Sequence, residues 1–306
     1  MPKTVYLFPG QGSQAVGMGR SFFDMSDLAK KTFRTADEVL GFSLSKLCFE
    51  GPEEELRLTR NTQPALLTVS AIAFALLEKE PAAAAGHSLG EYSALVAAGS
   101  LRFEDALALV RKRGLYMQDA VPVGVGAMAA VLGLSFEQVQ AAIDQVASGT
   151  VQVANWNSPD QLVISGHKEA VEEALRIAQP PKSVLLPVSA PFHSPLMRPA
   201  EERLAADLDA VEFRNLAFPV INNVDARRIT TAAEARDGLK RQVSRPVLWT
   251  KGMELFRDEE IDVFVETGPG KVLAGLMKRI GRGWPRPFQM LNAEDAASLE
   301  KARAAL

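Results

Sequence analysis

Apolar runs and amphipathic stretches alternate along most of the chain, and their spacing predicts its elements. Residues 5–8 form a continuous apolar run that meets Pro9-Gly10-Gln11-Gly12, which reads as a buried strand entering a glycine-rich turn. Helical spacing follows over 26–40. A further helix is expected over 63–77, with Pro64 in its first turn, where a missing N–H costs nothing. The alanines of 82–85 have little strand propensity, and only their place before a sharp turn makes them a strand. Between 127 and 188 the rhythm changes to strand 127–132, helix 136–146, strands 151–154 and 161–165, helix 168–177 and strand 184–188. That βαββαβ order is the signature of a ferredoxin-like module. Strands at 217–222 and 263–266 and a helix at 271–280 then resume, so the outer segments read as one α/β domain carrying the small module as an insertion.

A length of 306 residues is more than one compact core usually holds, which agrees with two packing centres. Hydrophobic residues at 47% and charged ones at 23% give the balance of a globular chain. The net charge of -3 leaves no excess of Lys and Arg to neutralise phosphates, which argues against nucleic acid as a partner. Cys48 lies among Leu44, Leu47 and Phe49 and reads as a small buried hydrophobe. The first residues run straight into a strand without a secretory pattern, and no window reaches the roughly 18 apolar residues of a membrane span. A cytoplasmic protein is the expectation.

Gly86-His87-Ser88-Leu89-Gly90 fits G-x-S-x-G, in which small residues flank a serine on a strand-to-helix turn and lift its Oγ clear of the sheet. Ser88 is therefore the candidate nucleophile, and the turn aims the Leu89 N–H and a helix N-terminus at the same spot. A serine needs a base, and the chain has three histidines. His87 adjoins the nucleophile and should point beneath the turn, and His167 sits at the mouth of an exposed helix. His193 remains, in a proline-bounded loop, Pro191 to Pro195. No H-E-x-x-H or Cys/His cluster suggests a metal. Over 104–117, Ala106, Leu109, Val110 and Met117 form an apolar stripe with Arg113 in its middle. Such an arginine is a structural ion-pair partner, a snorkelling side chain, or a fork waiting for a substrate carboxylate. Gly10 to Ala15 also fits a dinucleotide fingerprint, but the acidic residues about 20 positions on, Asp37 and Glu38, fall in a helix rather than at a strand end. The other use of that turn is to bring the Gln11 N–H towards Ser88 as a second oxyanion donor.

PGQGSQ at 9–14, TQPALL at 62–67, GHSLGEYSAL at 86–95, RG-x-x-MQ at 113–118, FHS at 192–194 and ETGPG at 266–270 occur in one order over nearly the whole length. In this the chain closely resembles malonyl-CoA:acyl carrier protein transacylases and the related acyltransferases of polyketide synthases. The resemblance implies an α/β-hydrolase-like large domain with a parallel-sheet core over 1–124 and 191–306, and a ferredoxin-like small domain over 125–190. It implies that Ser88 carries the acyl group, that His193 is the base, and that the Gln11 and Leu89 N–H groups form the oxyanion hole. It further implies that Arg113 binds the malonyl carboxylate, and that Gln242 lies near the histidine, where main-chain carbonyls orient the ring. Gln63, Asn155 and Asn157 match pocket residues, and Phe192 matches the malonyl-type pattern, its ring filling the space of an α-methyl branch. The implied partners are malonyl-CoA and acyl carrier protein, with no cofactor, in a monomer serving fatty-acid synthesis or, alternatively, a polyketide synthase.

Two other readings compete. A serine hydrolase of this fold usually has its histidine after the last strand, whereas 113 residues follow His193, and a neutral ester has no use for Arg113. A non-catalytic carrier-docking module would use Lys278, Arg279, Arg282 and Arg286 as its basic face, a run that also reads as a solvated helix end.

Overall fold

The computed structural model describes residues 2–188 and 190–306; Met1 and Ser189, the latter inside the span expected for the small domain, lie outside the described residues. The strands are β1 (Thr4–Phe8), β2 (Ala83–Gly86), β3 (Gly126–Leu132), β4 (Val151–Ser158), β5 (Gln161–His167), β6 (Lys182–Leu185), β7 (Val220–Ile221), β8 (Arg228–Ile229), β9 (Val263–Thr267) and β10 (Gln289–Ala293). The described residues form two sheets, ordered β10-β9-β1-β2-β7-β8 and β4-β5-β3-β6. In the first, all pairs are parallel except β7 with β8. The second is antiparallel throughout, and its order, second-third-first-fourth along the module, is the ferredoxin-like arrangement expected from the sequence.

β1 and β2 lie at the centre of the larger sheet and are wholly buried. The alanines of β2 alternate between two cores, Ala84 packing on one face and Ala83 and Ala85 on the other. Small side chains here let the helix Leu89–Ala97 come down almost onto the strand: a Cβ on Gly86 would stand 1.9 Å from the carbonyl of Gly90. β4 also pairs with Val247, which lies outside the named strands, through a short parallel bridge in which Trp156 N–H donates to Val247 O at 2.9 Å and Val247 N–H to Ala154 O at 2.8 Å.

Several boundaries differ from the sequence reading: the strand expected over 217–222 is only Val220–Ile221, those expected over 151–154 and 161–165 run on to Ser158 and His167, and three others have a visible cause. The helix expected from residue 63 spans Thr59–Leu77, so Pro64 is an interior residue. Its absent N–H would have paired with the Arg60 carbonyl. Instead, Arg111 of the helix Phe103–Asp119 donates to that carbonyl from NH1 at 2.8 Å. The helix expected over 136–146 is Phe136–Ile143, because Glu173 Oε2 takes the N–H groups of Ala147 and Ser148 just beyond it. β6 lies earlier than 184–188: pairing continues through Leu186 N–H to Met128 O at 2.9 Å and stops at Pro187, which has no donor. Among the described residues no helix is long and apolar enough to cross a membrane.

Candidate active site

Ser88 sits between β2 and the helix Leu89–Ala97 with φ 50° and ψ -106°, a conformation that costs a non-glycine residue on the order of 1–3 kcal/mol unless its surroundings impose it. Asn223 imposes it. The asparagine accepts the Ser88 N–H at 2.7 Å and donates from Nδ2 to the Gly86 carbonyl at 2.7 Å, so one amide clasps both sides of the turn. Gly90 completes the turn, for a Cβ there would meet the Phe8 carbonyl at 2.0 Å.

His193 is 4% exposed and brings Nε2 within 2.7 Å of Ser88 Oγ. Its Nδ1 lies 2.9 Å from the main-chain carbonyl of Gln242. A carbonyl can only accept, so the proton sits on Nδ1 and the Nε2 lone pair faces the hydroxyl. Burial, and next the Arg113 charge, depress the ring to about 3, against the pull of the Gln242 carbonyl. It stays neutral at ordinary pH. Gln152 Nε2 donates to the carbonyl of His193 at 2.6 Å and fixes the loop, which has φ 55° at the histidine.

Arg113 is 2% exposed. NH1 donates to Gln63 Oε1 at 2.9 Å, and NH2 donates to Gln242 Oε1 at 2.9 Å and to Ser88 Oγ at 3.1 Å. Among the described residues its buried Nε has no partner. Among the described residues no carboxylate touches the guanidinium, whose partners are two amide oxygens and a hydroxyl, so a structural ion pair, one of the readings left open by the sequence, is not what holds it. The Tyr92 ring lies 5.7 Å away.

A cavity of about 130 Å³ joins these groups, with room for several water molecules. Gln11, Gln63, Ser88, Leu89, Arg113, Asn155, Phe192 and His193 are all on its wall. Leu89 is the first residue of its helix, where backbone N–H groups lack intrahelical acceptors. Met128, Leu186 and Val188 close the opposite side. Two residues expected in the pocket stand behind it. Asn157 stands behind His87, which the sequence reading expected beneath the turn but which is itself on the cavity wall, its Nε2 2.7 Å from Asn157 Oδ1, and Gln242 is fully buried behind Arg113 and His193. Asn223, Glu91 and Gln152 support the site and were not singled out from the sequence. Among the described residues no group of His, Cys, Asp or Glu is placed to hold a metal ion.

Comparison with known proteins agrees with this geometry. The family model described as acyl transferase domain matches residues 5–300. The chain is 47% identical to a malonyl CoA-acyl carrier protein transacylase of Bacillus subtilis, with 92% of each chain covered, and 46% identical to that of Escherichia coli K12, covering 92% of this chain and 93% of the relative. Among solved structures, the malonyl CoA-acyl carrier protein transacylase of Coxiella burnetii superposes with a TM-score of 0.96 at 42% identity, covering 100% of this chain and 98% of the other. A malonyl-transacylase in complex with a type II PKS acyl-carrier protein gives 0.95 at 42% identity, covering 99% and 100%. The chain belongs to the acyl transferase family and, within it, to the malonyl CoA-acyl carrier protein transacylases.

Proposed function

We propose that the protein transfers a malonyl group from malonyl-CoA to the phosphopantetheine thiol of acyl carrier protein through an ester on Ser88. The observation that carries this is the 3.1 Å between Arg113 NH2 and Ser88 Oγ. With guanidinium and nucleophile so close, the carboxylate bound by one and the carbonyl attacked by the other must belong to a single short acyl group.

Arg113 releases Oγ and grips the malonyl carboxylate, its planar fork matching two oxygens. His193 Nε2 takes the Ser88 proton as Oγ attacks the thioester carbonyl, and the N–H groups of Leu89 and Gln11 receive the oxyanion. The tetrahedral intermediate collapses, the C–S bond breaks, and His193 returns the proton to the coenzyme A sulfur. Its low basicity favours that return. The carrier thiol then repeats the sequence in reverse, with His193 as base again. These groups supply base, oxyanion donors and carboxylate fork, and no cofactor is invoked. Phe192 fills the space an α-methyl branch would need, and Gln63, Gln242, Asn155 and Asn157 position the pocket.

The domain division proposed with this reading is 1–124 with 191–306 for the catalytic domain and 125–190 for the small one, in a cytoplasmic enzyme of fatty-acid synthesis. A polyketide carrier is the second reading, because the transacylase bound to a polyketide carrier is as similar in sequence, at 42%, as the Coxiella burnetii enzyme. Brief incubation with malonyl-CoA should leave a malonyl adduct seen by intact-mass analysis. An unmodified wild type, or an adduct persisting in Ser88→Ala, would sink the assignment.

A further inference from the structure

Glu91 takes no part in the steps above, yet it is 0% exposed in the first turn of the helix Leu89–Ala97. Its Oε2 accepts from Gln242 Nε2 at 2.7 Å and from the Asn223 N–H at 3.0 Å. Its Oε1 is buried and, among the described residues, has no partner. An anion placed so is costly, and the unpaired oxygen is an open position for a proton. Gln242 links this carboxyl to Arg113, because the same amide that donates to Glu91 accepts from Arg113 NH2 at 2.9 Å. In the free protein the guanidinium therefore finds its balancing charge one amide away.

The geometry points to Glu91 as a positioning residue that exchanges its charge for a proton: when a substrate carboxylate binds Arg113, Glu91 takes a proton from solvent on Oε1. This rests on Arg113 being the carboxylate fork. One buried cation then faces one buried anion both before and after binding, which avoids an uncompensated charge in either state. Burial lifts the Glu91 carboxyl to about 7, while Gln242, the Asn223 N–H and the Arg113 charge pull it down and Asp225 pushes it up. The charged or titratable groups facing it are Arg113 from the helix Phe103–Asp119, Tyr92 from its own helix, and Asp225 from the loop after β7. Tyr92 is held neutral by burial, and Asp225 is paired with Arg241 of the helix Ala232–Gln242. A second anion at Arg113 raises the Glu91 value further, so the complex holds more protons than the free protein. Malonyl-CoA affinity must then fall as pH rises above about 7, by up to about tenfold per pH unit, and acetyl-CoA affinity must not.

Calorimetric titration of the non-reacting Ser88→Ala protein at about pH 7.5, in two buffers of different ionisation enthalpy, counts the protons taken up. Acetyl-CoA supplies the background of the coenzyme's own groups. Malonyl-CoA should take up about half to one proton more than acetyl-CoA. That excess should vanish in Ser88→Ala/Glu91→Gln, whose affinity for malonyl-CoA should no longer depend on pH. Equal proton counts for the two thioesters, measured with Glu91 intact and so without risk of misfolding, overturn the coupling. If Arg113→Ala in the Ser88→Ala background bound malonyl-CoA undiminished, the fork reading would fail as well. Equal counts with Arg113 still required would sink the coupling alone.

Discussion

On the side of the cavity built from the larger sheet, Ser88, Arg113 and His193 are fixed by hydrogen bonds to partners far along the chain, such as Arg113 to Gln242, 129 positions apart. On the opposite side, Met128 of β3 and Leu186 and Val188 beyond β6 present mainly apolar surface, and all four residues of β6 are exposed. A hydrogen-bonded side chain among buried partners has one workable position, whereas an apolar wall tolerates repacking. Reactivity should therefore depend sharply on the first side, and fit loosely on the second.

The largest effect should come from His193→Ala, which should lower kcat by about 10²–10⁴ in both acylation and transfer, read in single-turnover experiments. Because the ring is depressed to about 3, it is already neutral at ordinary pH. The pH profile of kcat/KM, which reports the free enzyme, should show no acid limb near the usual histidine value of ~6.5 and should fall only in stronger acid. A limb near that value would mean a base less buried than His193.

Next comes Arg113→Ala, expected to cost about 2–5 kcal/mol in kcat/KM for malonyl-CoA while acetyl transfer is kept or gained. Arg113→Lys should rescue little, since an ammonium cannot reproduce the fork. A malonyl preference that survived in Arg113→Ala would move the carboxylate site elsewhere. The smallest effect tests the other side: Leu186→Ala should change KM by roughly fivefold or less, about 1 kcal/mol, with kcat unchanged. A loss as large as that of Arg113→Ala would erase the contrast between the two sides.

The parts legible in sequence were those set locally. The turn at Ser88 announces itself because only glycine fits at positions 86 and 90, and the order of strands and helices over 126–185 follows from period alone. Arg113 stood out because helical phase put a cation in an apolar stripe. Glu91, a carboxylate among Leu89, Tyr92, Ala94 and Leu95, breaks its apolar surroundings in the same way, whereas nothing local marks Asn223, whose bond to Ser88 spans 135 positions. The start of the helix Thr59–Leu77 is hidden from the sequence because the usual place of a proline is the first turn, and the group that takes over its missing bond lies 51 positions from Arg60, on another helix.

Pro64 bears on where the Arg113 guanidinium stands. Arg111 reaches the carbonyl left free by Pro64, and two residues on, Arg113 meets Gln63, so the two helices are joined by consecutive rungs like a ladder. At the same crossing Gly114 has no room for a Cβ, which would lie 2.7 Å from Arg60 Cα. A gap in one helix thus sets the register of the other. Pro64→Ala would restore a local donor to the Arg60 carbonyl and leave Arg111 held to that helix by Asn61 Oδ1 alone, loosening the rung next to Arg113. The protein should stay as stable by thermal melting while KM for malonyl-CoA rises, and an unchanged KM would show that the rungs are independent.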